Sequence, residues 1–159
     1  AETPDQLKMQ TSDNRIKFSL GNIKLISKVI DGKFPDYKKV VPTNNEKTLV
    51  VSSKEFINSI ERVASVSLDR KEGVKLVINK DNVQLSVNSA NSGEGNEKIK
   101  AEFSSENLNI SFNSKYLIDI ASAIEDKNLK MNLKDSVSPV LIEDVSDKNS
   151  YYVIMPMKI

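Results

Sequence analysis

Cysteine, histidine and tryptophan are all absent from this 159-residue sequence. Without Cys or His the chain has no disulfide, no His- or Cys-based metal centre, no Ser-His-Asp or Cys-His nucleophile and no imidazole base. Without Trp, and with no aromatic run on a basic strand, a base-stacking single-strand binder is disfavoured. Long apolar runs are missing too. Tyr151 to Met157 is among the longest and falls far short of the roughly 20 residues that span a bilayer. The N-terminus lacks a basic-then-apolar signal pattern, so a cytoplasmic location without membrane attachment is expected. Neither sign of charge prevails: 23 Lys and Arg face 22 Asp and Glu, a net of +1. Any attraction to DNA must therefore come from a local patch.

What is present is a patterned, core-forming chain. Gln6 to Ser12, Arg15 to Leu20 and Lys24 to Val29 read as three short antiparallel strands separated by Ser12-Asp13-Asn14 and Gly21-Asn22. Gly32 and Pro35 then punctuate, and the polar run from Thr43 to Lys47 reads as a linker. After a strand at Thr48 to Val51, Phe56, Ile57, Ile60, Val63, Ala64 and Ser67 recur at three- and four-residue spacing. They predict an amphipathic helix of about four turns behind an N-cap at Ser52 or Ser53. Val74 to Asn79, Asn82 to Asn88, Lys98 to Phe103 and Asn107 to Asn113 alternate as strands, with Ala90 to Asn96 as a Gly- and Ser-rich exposed loop. A second helix is expected from Ser114 to about Asp126. Leu129 to Leu133, Val137 to Glu143 and Tyr151 to Met155 complete the set as strands. The fold class is α+β.

An internal repeat stands out. Leu7-Lys8-Met9-Gln10 returns as Leu129-Lys130-Met131-Asn132, each copy followed by an Asp-containing turn and two further strands. Two copies of one domain type follow: residues 44–159 as a whole copy, and residues 1–43 as the last strands of a preceding, incomplete one. The sequence thus reads as beginning inside a domain. Three amphipathic strands cannot hide an apolar face alone.

Enzyme templates find little. Gly93-x-Gly95 lies in a polar segment between strands, with Lys98 where a dinucleotide fingerprint needs Gly. Neither a phosphate loop nor a Ser-x-x-Lys pair is present. Glu143-Asp144 and Glu125-Asp126 are adjacent carboxylates that could hold a hard cation, but solvated turn residues are the favoured reading. No cofactor is called for. Lys54, Arg62, Arg70 and Lys71 could meet phosphates, though Glu55, Glu61, Asp69 and Glu72 are interleaved with them. The tail Tyr151 to Ile159 stays apolar to its last residue, and its two Met flanking Pro156 suit a shallow, adaptable groove for apolar side chains.

Val29-Ile30-Asp31-Gly32-Lys33-Phe34-Pro35-Asp36-Tyr37 with Val41-Pro42, and Tyr152-Val153-Ile154-Met155-Pro156-Met157-Lys158-Ile159, resemble the bacterial sliding clamp, the beta subunit of DNA polymerase III. Asp135-Ser136-Val137 with Ile142-Glu143-Asp144, and Phe112-Asn113-x-x-Tyr116-Leu117, fit the same pattern. The resemblance implies DNA-clamp domains, each two helices on antiparallel sheet, and a non-catalytic processivity factor whose homodimeric ring encircles duplex DNA. It implies partners that carry Gln-Leu-x-Leu-Phe-like segments: the replicative polymerase alpha subunit, the clamp loader, other polymerases and repair proteins. The groove that docks them would be built from Pro35, Lys39, Val40, Asn113, Tyr116, Val153, Ile154, Met155, Pro156 and Met157. Lys39 stands where many members have Arg, replacing a planar fork by a point charge, and Pro139 stands where Ser is common. Lys54 and Arg62 would face DNA. Ser65, Val66, Lys98 and Lys100 would lie at the subunit interface, where Glu94, Glu97 and Glu102 mix with lysines. The competing reading is a stand-alone peptide-binding adaptor derived from a clamp.

Overall fold

The computed structural model describes residues 6–34, 36–66, 73–90, 92–147 and 149–158. The chain divides into two compact units, Ala1–Asp36 and Tyr37–Ile159.

In the first unit, β1 (Lys8–Thr11), β2 (Arg15–Leu20) and β3 (Ile23–Lys28) form an antiparallel meander in the order β1-β2-β3. The Ser12 N–H donates to the Arg15 carbonyl at 2.8 Å, closing the first turn. Gly21, at φ 55°, supplies the left-handed residue of the second. The register aligns Met9, Phe18 and Leu25 on one face and Lys8, Ser19 and Lys24 on the other. The sheet is apolar on one side and cationic on the other.

The second unit contains β4 (Lys47–Ser52), α1 (Ser53–Ala64), β5 (Gly73–Ile78), β6 (Asn82–Ser89), β7 (Gly93–Lys100), β8 (Glu102–Phe103), β9 (Leu108–Asn113), α2 (Ser114–Ala123), β10 (Asn128–Leu133), β11 (Val140–Glu143) and β12 (Tyr151–Ile154). Two antiparallel sheets run in the orders β12-β11-β10-β4-β8 and β7-β6-β5-β9. Each helix follows directly from a strand. Ser52 caps α1 by accepting the Glu55 N–H at 3.4 Å, and the Asn113 side chain caps α2 by accepting from Lys115 and Tyr116. The helices pack on each other, and α1 also packs on both sheets. Strict alternation places Val74, Leu76 and Ile78 of β5, and Leu129, Met131 and Leu133 of β10, in one core with Phe56 and Ile60 of α1. Burying each such large side chain stabilises by about 1.5–3 kcal/mol. The α+β class holds, with two helices on antiparallel sheet and a three-stranded sheet before them.

Several expected boundaries move, each for a physical reason. The segment Ala90 to Asn96, expected as a loop, is largely strand: β7 starts at Gly93 and pairs with β6 in register from Ser89↔Gly93 to Asn82↔Lys100. Gly95 is there for contact. A Cβ at that position would lie 2.8 Å from the Val63 carbonyl oxygen, so only glycine lets α1 approach the strand so closely. The expected strand Lys98 to Phe103 is two strands, because the chain changes sheets at Ala101, and β8 pairs with β4. The helix α1 ends at Ala64, with Ser65 as its C-cap, and Ser67 lies outside the described residues. The helix α2 stops at Ala123, where Ile124 turns to extended backbone. Val137 and Ser138 are not strand: their N–H groups donate to the Asp135 carboxylate at 2.9 and 2.7 Å in a side-chain-capped turn. Nor is the Thr43 to Lys47 run a free linker. The Asn45 amide donates to the Asn132 and Pro139 carbonyls at 2.8 and 2.9 Å, and Lys47 begins β4.

Candidate partner-binding groove

Strand alternation sorts the C-terminal segment before any partner is considered. On β12, Ile154 points into the core and is 4% exposed, while Val153 before it and Met155 just past the strand end are on the other side. The expected place of Ile154 in the groove is therefore corrected: its side chain holds β12 to the core. Val153 stands opposite Leu141 of β11 in the register. Beside them a depression of about 600 Å³ opens, walled by Lys39, Val40, Val41, Pro139, Val153 and Met155. Met155 and Val40 are exposed within it, although both are apolar. A short 3₁₀ turn at Tyr37–Lys39 presents Lys39 and Val40, with the Val40 N–H donating to the Tyr37 carbonyl at 3.0 Å.

Beyond Pro156 the tail runs alongside β9, because the Met157 N–H donates to the Ser111 carbonyl at 2.7 Å. That bond carries Met157 toward the corner at which β9 gives way to α2. There Asn113 is occupied as the N-cap, and Tyr116 lies exposed in the first turn. The structure thus gathers Lys39, Val40, Val153 and Met155 at one depression, while Asn113, Tyr116, Pro156 and Met157 are not part of its lining. Pro35 lies outside the described residues.

Three charged groups at this sheet, Lys130, Glu143 and Asp144, are engaged by protein partners. The Lys130 ammonium pairs with Glu143 at 2.8 Å, and the Asn132 amide donates to the same carboxylate at 2.7 Å. These two bonds, Lys130 first, hold the Glu143 carboxyl below its ordinary range. Asp144 is buried and accepts the Ser146 hydroxyl and the N–H groups of Glu125 and Ser146. Those hydrogen bonds, with the Ser146 hydroxyl the largest influence, keep it ionised to lower pH than usual. Both carboxylates are thus engaged by protein donors, and among the described residues no group of three or more His, Cys, Asp or Glu is placed to hold a metal.

A family model described as DNA polymerase III beta subunit, C-terminal domain, matches residues 38–158. This chain belongs to the DNA polymerase III beta subunit family. It is 33% identical to the beta sliding clamp of Caulobacter vibrioides strain NA1000 over 151 residues, covering 95% of this chain and 41% of that protein. It is also 33% identical to the clamp of Escherichia coli strain K12 over 153 residues, covering 96% of this chain and 42% of that one. Among solved structures, the clamp from Bartonella birtlesii bound to griselimycin superposes with a TM-score of 0.84 at 38% identity, over 96% of this chain and 41% of that chain. The Caulobacter crescentus clamp gives 0.84 at 33% identity, over the same shares. The chain spans about two fifths of the length of the relatives it matches.

Within this beta-subunit domain the remaining expected positions separate. Lys54 is exposed in the first turn of α1, beside a shallow depression shared with Asn58, Ser122 and Lys127. Arg62 is not a free cation: its guanidinium binds both oxygens of the Glu97 carboxylate on β7 and also the Ser59 hydroxyl. The pairing raises the Arg62 pKa and lowers that of Glu97. Ser65 closes α1 by donating its hydroxyl to the Arg62 carbonyl at 2.7 Å, and Val66 packs on the core. Lys98 and Lys100 are exposed on β7, an outermost strand of its sheet. Sequence reasoning missed Lys134 and Thr43 to Asn45 as groove lining, because polar residues in a run carry no mark of what their side chains bond. Among the described residues no helix is long and apolar enough to cross a membrane.

Proposed function

We propose that this chain is the C-terminal portion of a DNA sliding clamp, a non-catalytic, cytoplasmic processivity factor that docks partner peptides in the groove at Val153 and Met155. On this reading residues 44–159 are the third clamp domain and residues 1–43 are the last strands of the middle one. The full protein is a homodimeric ring around duplex DNA. The observation that carries the proposal is the exposed apolar depression joining Lys39 and Val40 to Val153 and Met155, inside the segment that matches the family. Such a surface suits the Leu and Phe side chains of Gln-Leu-x-Leu-Phe-like segments on the polymerase alpha subunit, the clamp loader and repair proteins. Lys54 supplies charge toward DNA, and Ser65, Val66, Lys98 and Lys100 border the subunit contact. The near-zero net charge suits a ring that slides, since each strong phosphate contact would add affinity and salt dependence.

The test is fluorescence anisotropy with a labelled Gln-Leu-Ser-Leu-Phe peptide. Met155→Ala is expected to weaken binding by about 1–3 kcal/mol through loss of packing at a buried anchor. Unchanged affinity in both Met155→Ala and Val40→Ala would sink the assignment.

A further inference from the structure

A second depression, of about 440 Å³, lies on the same outer face of the sheet as the groove. Its apolar lining comes from Val41, Leu141, Val145 and Tyr151, and Val145 and Tyr151 are 56% and 45% exposed. Two observations make it continuous with the groove. Val41 lines both depressions, and Leu141 of the second is the cross-strand partner of Val153 in the first. Two residues further along the same strand pair, Tyr151 stands opposite Glu143, and Glu143 is in turn opposite Lys130 of β10. The single carboxylate–ammonium pair at this wall is already satisfied internally. Among its described lining residues Asp144, too, is engaged, accepting hydrogen bonds from Ser146 and Glu125, so the depression presents no carboxylate without a protein partner. It offers aliphatic surface and one exposed phenol ring, which fit an apolar or aromatic side chain.

We propose that this depression binds an apolar or aromatic residue of the same partner segment, placed outside the Gln-Leu-x-Leu-Phe core. Partner specificity then depends on flanking sequence as well as on the core. The inference rests on the groove assignment made above. Reach is adequate, because neighbouring strands are about 4.8 Å apart and three or four extended residues span about 10–14 Å. A chain leaving the groove over Val153 arrives over Leu141 and Tyr151.

The test compares the labelled core peptide with versions extended by four residues at either end, each extension carrying one Phe in a Gly-Ser background. An extension at one end is expected to tighten binding about tenfold, the worth of one well-buried aromatic anchor. Tyr151→Ala, on the exposed edge strand, and Leu141→Ala are expected to remove that gain and leave core affinity unchanged. Met155→Ala should weaken core and extended peptides alike. No gain at either end, or a gain that survives both variants, overturns this inference while core binding to Met155 leaves the groove standing. Core affinity indifferent to Met155→Ala and Val40→Ala instead removes the groove, and this inference with it. Self-association abolished by Tyr151→Ala would assign the face to a second copy and also overturn it.

Discussion

Leu7-Lys8-Met9-Gln10 and Leu129-Lys130-Met131-Asn132 are near-copies that meet opposite fates. Each opens a three-stranded antiparallel meander, β1-β2-β3 in one case and β10-β11-β12 in the other. Yet Leu129 and Met131 are fully buried, whereas Leu7 and Met9 are each 62% exposed. The difference lies in the neighbours. β10 has β4 along its second edge, and its inner face packs into the core shared with α1. β1 is an edge strand of a three-stranded sheet, and its unit has no helix among the described residues. Burial is thus a property of the layer a strand packs on, and the same apolar side chains contribute several kcal/mol or almost nothing according to that layer.

The sharpest way to break this comparison is amide hydrogen exchange on the intact chain. Amides of β5 and β10 should exchange only through global opening, while those of β1 to β3 exchange about a thousandfold faster or more. Equal protection would mean that the first sheet shares the stability of the second unit. Next comes a paired substitution read by urea denaturation. Met131→Ala should cost about 2–5 kcal/mol, and Met9→Ala should stay within about 0.5 kcal/mol. Gly95→Ala should destabilise the second unit by about 1–3 kcal/mol, since its methyl group must displace the α1 backbone at Val63. A neutral result would show that β7 and α1 separate easily.

Acid should act on the second unit selectively. Asp135, Glu143, Asp144 and Asp147 all have carboxyl pKa values held below their ordinary range by hydrogen bonds. Their stabilisation is complete above the unfolded-state values near 4 and is lost as pH falls through the lower folded-state values. The urea midpoint should therefore be flat from about pH 5 to 7 and fall below about pH 4. Asp144→Asn should reduce that acid dependence. The smallest effect is expected at Arg62. Arg62→Ala should shift the melting temperature slightly at low salt and negligibly at high salt, because the pair with Glu97 is solvent-exposed.

Much of this molecule was legible before any coordinates. The two helices, a cap at Ser52 or Ser53 for the first of them and most of the strands follow from apolar periodicity and capping chemistry, since these depend only on local spacing. The segment Tyr151 to Met157 announced itself too, because two Met flanking Pro156 in an apolar stretch suit an adaptable surface for apolar side chains. Segments governed by distant contacts were less legible. Gly93-Glu94-Gly95 has a loop's composition and a strand's structure, because it pairs with β6 and lies against Val63 of α1, 32 positions away in sequence. The polar Asn45 bonds carbonyls of Asn132 and Pro139, which nothing in its surroundings predicts. Ile154 and Val153 are equally apolar in sequence, and only the sheet decides which one faces the core.

By itself, then, the sequence determined both helices, most of the strands and which chemistries are excluded, because helix and strand periods and the absence of His and Cys are local facts. Tertiary structure alone decided which near-identical strand is buried, which carboxylates are spent on protein donors, and that Val41 and the pair Leu141–Val153 join two depressions into one surface. Those outcomes require residues far apart in the chain to meet, and the energies of packing and of buried hydrogen bonds exist only once they do.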